Sequence, residues 1–286
     1  MTTVSSRNGA DPAAAGAFEI AFIVNGQRCA FTVEGPGDLT IPSAFLLGLP
    51  KAGSTLLTRL MRPVTRAAGL TFVTMQEALH NLGVGPKDIP AEVNQAFRPM
   101  GYVFGGFRSL PGAVTLPPFA TGRTVLLVRD PRDMLTSLYF SLAYSHRPPG
   151  GGAGGALAAS FEEKRREVNL MDIDAFALGA ARTVAGQYRT VEHKLQGISH
   201  KLYRYEDIIF DKLAWAKDMV AYLGLPARPA VVERAVAEND VRPQVEDVTQ
   251  HVRKVAPGDH VEKLKAETIA ELNAQLAPIL RKYGYG

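Results

Sequence analysis

Apolar and polar positions alternate along Phe18 to Val24 and again along Gln27 to Val33. Between them stands Asn25-Gly26, a dipeptide that accepts the positive φ angles of a two-residue reversal, so the pair predicts a β-hairpin. A short apolar run, Ala44 to Leu47, then ends in Gly48. From Thr55 the spacing becomes helical, with Leu56, Leu57, Leu60 and Met61 on one face. Strand-like runs follow at Thr71 to Met75, Tyr102 to Phe107, Val125 to Val128 and Lys201 to Tyr205. Helical patterns lie at Met134 to Tyr144, Phe176 to Lys194 and Leu213 to Leu223, and a long amphipathic helix from Val261 to Tyr283 closes the chain. Strands alternating with helices imply an α/β fold whose mainly parallel sheet is covered on both faces.

Two stretches stand outside this pattern. Residues 1–17 are rich in Ser, Ala and Gly and are expected to form a disordered tail. Arg147 to Gly155 (RPPGGGAGG) is too rich in Gly and Pro for a helix and is expected to be a mobile surface loop. One domain is expected from Phe18 to Gly286, with residues 18–41 as its hairpin extension.

Among the 286 residues 46% are apolar and 21% charged, ordinary values for a core-forming protein. No stretch approaches the ~20 uninterrupted apolar residues of a membrane span, and the N-terminus has no signal-peptide core. Cys29 stands alone and no Cys/His cluster suggests zinc, which favours the cytoplasm. The formal charge of +4 suits an anionic ligand. Basic residues do not run interleaved with aromatics, which speaks against nucleic acid.

The first candidate site is Gly48-Leu49-Pro50-Lys51-Ala52-Gly53-Ser54-Thr55, a turn between a buried strand and a helix. Such a turn offers backbone N–H groups at a helix N-terminus to a phosphate. The ordinary P-loop places its lysine directly after the second glycine. Here Ser54 fills that position and the lysine comes earlier, at Lys51. The alternative is a plain structural turn, with Ser or Thr as helix cap.

The second site follows the run Val125 to Val128, in Arg129-Asp130-Pro131-Arg132-Asp133. Asp130 suits an N-cap, Pro131 the first helical position and Asp133 the first turn. Arg129 is left over. It is a permanent cation at the carboxyl edge of the sheet, where α/β folds bind ligands. Ser137 lies two turns further and can meet the same anion, unless Arg129 serves only a carboxylate partner.

These residues resemble the PAPS-dependent sulfotransferase family (PAPS, 3′-phosphoadenosine 5′-phosphosulfate). Pro50 to Thr55 resembles the family's 5′-phosphosulfate loop, and Arg129 to Ser137 its 3′-phosphate segment, with the same spacing of eight. Tyr203-Arg204-Tyr205-Glu206-Asp207 resembles the strand ending in Tyr-Glu-Asp, and Arg253 to Asp259 the late R-K-G-x-x-G-D segment. The four occur in family order; the N-terminal hairpin lies outside them. The resemblance implies a three-layer P-loop-type fold and sulfuryl transfer from PAPS, leaving PAP, with no metal. Lys51 would neutralise the departing bridging oxygen. Ala52, Gly53, Ser54 and Thr55 would hold the 5′-phosphate. Arg129, Ser137, Arg253 and Lys254 would hold the 3′-phosphate side, and Tyr205 would border the adenine.

Departures accompany the likeness. Leu56 stands where the family often stacks a Trp, Val255 where Gly is usual, and His260 where Trp is common. Ser109 occupies the place of the histidine base used by relatives with small aromatic substrates. Carbohydrate-modifying relatives use a glutamate after the second strand, and Glu77 holds that place here, with His80 beside it. The expected acceptor is a small molecule, a carbohydrate or a glycolipid, and a homodimer is compatible with this picture. A P-loop kinase and a catalytically inactive nucleotide-binding module are the competing readings.

Overall fold

The computed structural model describes residues 16–110, 112–145, 155–243, 245–250 and 253–286. The expected disordered tail (apart from Gly16 and Ala17) and the expected mobile loop (apart from Gly155) lie outside the described residues.

Strands β1 (Phe18–Val24) and β2 (Gln27–Val33) pair antiparallel from Phe18↔Val33 to Val24↔Gln27. Asn25 and Gly26 have φ angles of 50° and 77°, the all-positive turn that the dipeptide favours. Ile20, Phe22, Phe31 and Val33 are buried, and they attach the hairpin to one of the two large cores.

The remaining strands are β3 (Ala44–Gly48), β4 (Thr71–Val73), β5 (Tyr102–Phe107), β6 (Thr124–Val128) and β7 (His200–Arg204). They form one sheet in the order β4-β5-β3-β6-β7, parallel throughout. Every residue of β3 and β6 is buried, as a central parallel strand covered on both faces requires. Successive residues serve opposite layers. Ala44 and Leu46 join the core built with α1 (Ser54–Ala67), α7 (Lys212–Tyr222) and α8 (Pro229–Ala237). Phe45 and Leu47 join the core built with α2 (Met75–Asn81), α3 (Pro131–Phe140), α5 (Ile173–Lys194) and α10 (Ala266–Tyr283). The three-layer P-loop-type architecture is therefore observed. The chain also forms α4 (Gly155–Asn169), α6 (Tyr205–Ile208) and α9 (Asp259–Lys263).

Three boundaries differ from the sequence reading. The expected strand Thr71 to Met75 ends at Val73, and Met75 opens α2 with a buried side chain. Tyr205 likewise opens α6 rather than ending β7. The expected closing helix is two helices. Leu264 and Lys265 between them are extended, with ψ near 150°, because Leu264 turns into the core while Lys265 N donates to Asp174 Oδ1 at 2.9 Å.

Candidate functional site

A cavity of about 460 Å³ opens at the carboxyl edge of the sheet, lined by residues that follow β3, β5, β6 and β7. Its floor is the turn from β3 into α1. Lys51 and Gly53 both take positive φ, 64° and 95°, and they curl the chain around Ala52, whose N–H donates to Leu49 O at 3.0 Å. A side chain at Gly53 is excluded twice: by that φ, and by the Tyr205 ring 3.2 Å from where a Cβ would stand. Neither Ser54 nor Thr55 caps α1. The helix has Gly53 as N-cap and no side-chain cap, so its first N–H groups are left for an outside acceptor.

Lys51, Ser54, Thr55, Arg129, Ser137, Tyr205 and Lys254 all line this cavity together with Leu56. The Lys51 ammonium is pushed down to about 8, first by burial and then by the charges of Arg129, Arg108 and Arg253.

Arg129 stands at the end of β6, 6% exposed. One nitrogen, Nη2, lies 3.3 Å from Asp133 Oδ2, and Nη1 donates to Lys51 O at 3.3 Å. The guanidinium carbon sits 4.4 Å from the Tyr205 ring centre. Its Nε is buried and finds no partner among the described residues. Arg129 thus lines the cavity with a carboxylate partner already in place, while its unpartnered Nε is buried out of contact with the cavity space. The local helix start is as expected: Asp130 caps α3 by accepting from Arg132 N at 2.9 Å, with Pro131 at the first position. Backbone ties fix the exit of β6 from two sides. Asp130 N donates to Glu206 Oε1 at 2.8 Å, and the Tyr188 hydroxyl donates to Arg129 O.

Asp133 does more than favour a first turn. Its carboxylate is fully buried and accepts from Gly258 N at 2.8 Å, His260 N at 3.0 Å and His260 Nδ1 at 2.6 Å. Burial alone would raise this carboxyl; the His260 hydrogen bonds and the Arg129 charge hold it well below the usual carboxylate range. Asp133 therefore clasps the segment after β6 to the segment around Gly258, which takes φ 85° to enter α9. Tyr205 adds a second tie, its hydroxyl donating to Val255 O at 2.9 Å.

The sequence reading placed Arg253 at the ligand. Instead its guanidinium donates to Glu246 and Asp259 and covers the Phe140 ring at 4.1 Å, and it is not among the cavity-lining residues. Its neighbour Lys254 is, held at 2.6 Å from Glu262.

Glu77 and His80 are not brought to the cavity. Both are exposed on α2, and Glu77 pairs with Arg62 of α1 at 3.1 Å. With β4 ending at Val73, the helix phase buries Met75 and Leu79 and turns position 77 toward α1. Ser109 is tied to the same helix: Gln76 Nε2 donates to Ser109 O at 2.8 Å, and Gln76 Oε1 accepts from Arg108 N at 2.8 Å. Sequence reasoning passed over Arg59, Arg108 and Lys212, which also line the cavity. Arg108 was visible only as a neighbour of Ser109.

No family model matches this sequence, and no curated protein matches it. Solved structures resemble it in fold. A mouse sulfotransferase complexed with PAP superposes with a TM-score of 0.56 at 14% identity, over 85% of this chain and 84% of that chain. Retinol dehydratase in complex with androsterone and the inactive cofactor PAP gives a TM-score of 0.47, also at 14% identity, over 83% of this chain and 80% of that one. The first likeness shows that the chain has the P-loop-type α/β fold of a sulfotransferase.

Proposed function

We propose that the chain is a PAPS-dependent sulfotransferase acting on an acceptor hydroxyl or amine. The observation that carries this reading is the convergence of four sequence-separated segments on one cavity: the Lys51 turn, Arg129 with Ser137, Tyr205, and Lys254. The uncapped start of α1 and the Arg129 guanidinium in the cavity lining suit the phosphates of the nucleotide.

In this proposal the uncapped amides of α1, with Ser54 and Thr55, bind the 5′-phosphate. Arg129 and Ser137 bind the 3′-phosphate, aided by Lys254, and Arg253 positions that segment through Glu246 and Asp259. Tyr205 lies beside the adenine. The donor supplies a sulfuryl group on a good leaving phosphate. As the acceptor oxygen bonds to sulfur, the sulfur–oxygen bond to the 5′-phosphate breaks, its electron pair stays on the phosphate oxygen, and the hydroxyl proton is released. Lys51 meets the charge growing on that oxygen, and alignment with charge stabilisation carries most of the rate in a loose transfer of this kind.

Calorimetric titration with PAP and AMP tests the site. PAP is expected to bind more tightly by on the order of 1.5–3 kcal/mol for each charged hydrogen bond to the 3′-phosphate. Equal affinities would sink the assignment. Labelled PAPS with a panel of alcohols, phenols and amines tests turnover.

A further inference from the structure

We infer that Arg108 binds an anionic group on the acceptor, so that the acceptor is an amphipathic alcohol or amine carrying its own negative charge. The inference rests on the sulfuryl-transfer reading and names the substrate class of that site. It begins with the strand order. β3 is central, with β6 and β7 on one side and β5 and β4 on the other. The residues proposed for the nucleotide, Arg129, Ser137 and Tyr205, follow β6 and β7. Arg108 follows β5, on the opposite flank of the Lys51 turn. In-line transfer requires the acceptor to approach sulfur from the side away from the leaving phosphate. Arg108 therefore stands on the acceptor's side.

Its charge has no internal use. Of the cations lining the cavity, Arg129 pairs with Asp133, Lys212 with Asp240 at 2.5 Å, and Lys254 with Glu262. Lys51, Arg59 and the exposed Arg108 carry no ion pair among the described residues, and of these three only Arg108 follows β5. It lies near enough to Lys51 to oppose that ammonium's charge, an unfavourable arrangement that an anion placed at Arg108 relieves. The backbone on either side is held, because the Gln76 side-chain amide accepts from Arg108 N and donates to Ser109 O, both at 2.8 Å. An arginine presented from a clamped backbone is suited to forked recognition of a carboxylate or phosphate. The wall also carries an apolar stretch, Leu138, Leu142 and Phe161, beside the polar Ser141, Glu238 and Asn239. Such a cavity favours an acceptor with an apolar body and one anionic end.

The test uses the full chain saturated with PAP, titrated calorimetrically with ω-hydroxydecanoate and with its methyl ester. The hydroxy acid is expected to bind about 10-fold more tightly, one charge-assisted contact's worth. Arg108→Ala is expected to remove the difference and Arg108→Lys to keep part of it. Equal affinity for acid and ester overturns the inference, as does absence of saturable binding of the acid. A preference that persists in Arg108→Ala overturns it equally. In each of these cases PAP binding survives, so only the acceptor class fails; a chain that does not bind PAP sinks the sulfuryl-transfer reading as well.

Discussion

Lys51 combines two features that oppose each other in the absence of ligand. It sits in the left-handed region that side chains disfavour, and its ammonium is driven down to about 8, first by burial and then by the neighbouring arginines. Lowering a lysine below its unfolded value costs stability while the folded state must carry the charge. That cost is fully present below pH 8 and fades as pH rises from about 8 toward 10.5. In the proposed function a nucleotide anion reverses the balance by restoring the charged form. At pH 8, where about half of Lys51 is neutral, PAP binding is therefore expected to take up about half a proton, and PAP affinity to fall as pH rises further. Calorimetry in buffers of differing ionisation enthalpy measures this directly. The uptake should vanish in Lys51→Met; uptake persisting in that variant would assign the proton elsewhere. Lys51→Ala should also lower saturated turnover by about 10²–10³, more than it weakens PAP. A loss confined to PAP affinity would make Lys51 a binding residue only.

At the scale of elements, the important connection joins α3 to α9. Asp133 and His260 are 127 residues apart and meet in a buried contact, so this side of the cavity depends on a pair that local pattern does not reveal. Asp133→Ala leaves Arg129 and His260 without their shared carboxylate and is expected to cost about 3–5 kcal/mol in urea unfolding. A cost below about 1 kcal/mol would mean that the clasp is not structural. The turn at Asn25-Gly26 and the cap at Asp130 were legible because each depends on adjacent residues alone. The break at Leu264 was not, since its hydrogen-bond partner is Asp174, far away in the chain. Glu77 illustrates the same limit: its place after β4 follows from order, but its direction follows from the phase of α2. Exposed and paired with Arg62, Glu77→Gln is expected to leave turnover within about two-fold of wild type, an exposed pair being worth little. A fall of about 10²–10⁴ would restore it as general base.

At the scale of the whole molecule, the two ends of the chain play different parts. The C-terminal third supplies Tyr205, Lys254 and the partner of Asp133, while none of the cavity-lining residues comes from the hairpin. The hairpin is nevertheless well anchored. Phe22 is 4% exposed, meets Phe31 edge to face with ring centres 6.2 Å apart, and belongs to the core that includes Phe45 and Phe104 of the central strands. Arg98 adds a cover over Phe18 at 4.7 Å. Removing the Phe22 ring leaves a void that rigid neighbours fill only in part, so Phe22→Ala should cost about 3–5 kcal/mol. Because no cavity residue moves with it, the affinity of the folded protein for PAP should stay within about two-fold, and saturating PAP should raise the unfolding free energy of variant and wild type equally, by about 2.7 kcal/mol at 100 times Kd. Urea unfolding with and without PAP measures both quantities. If Phe22→Ala weakened PAP binding as strongly as it weakened the fold, the hairpin would be part of the binding apparatus and the division between scaffold and site drawn here would fail.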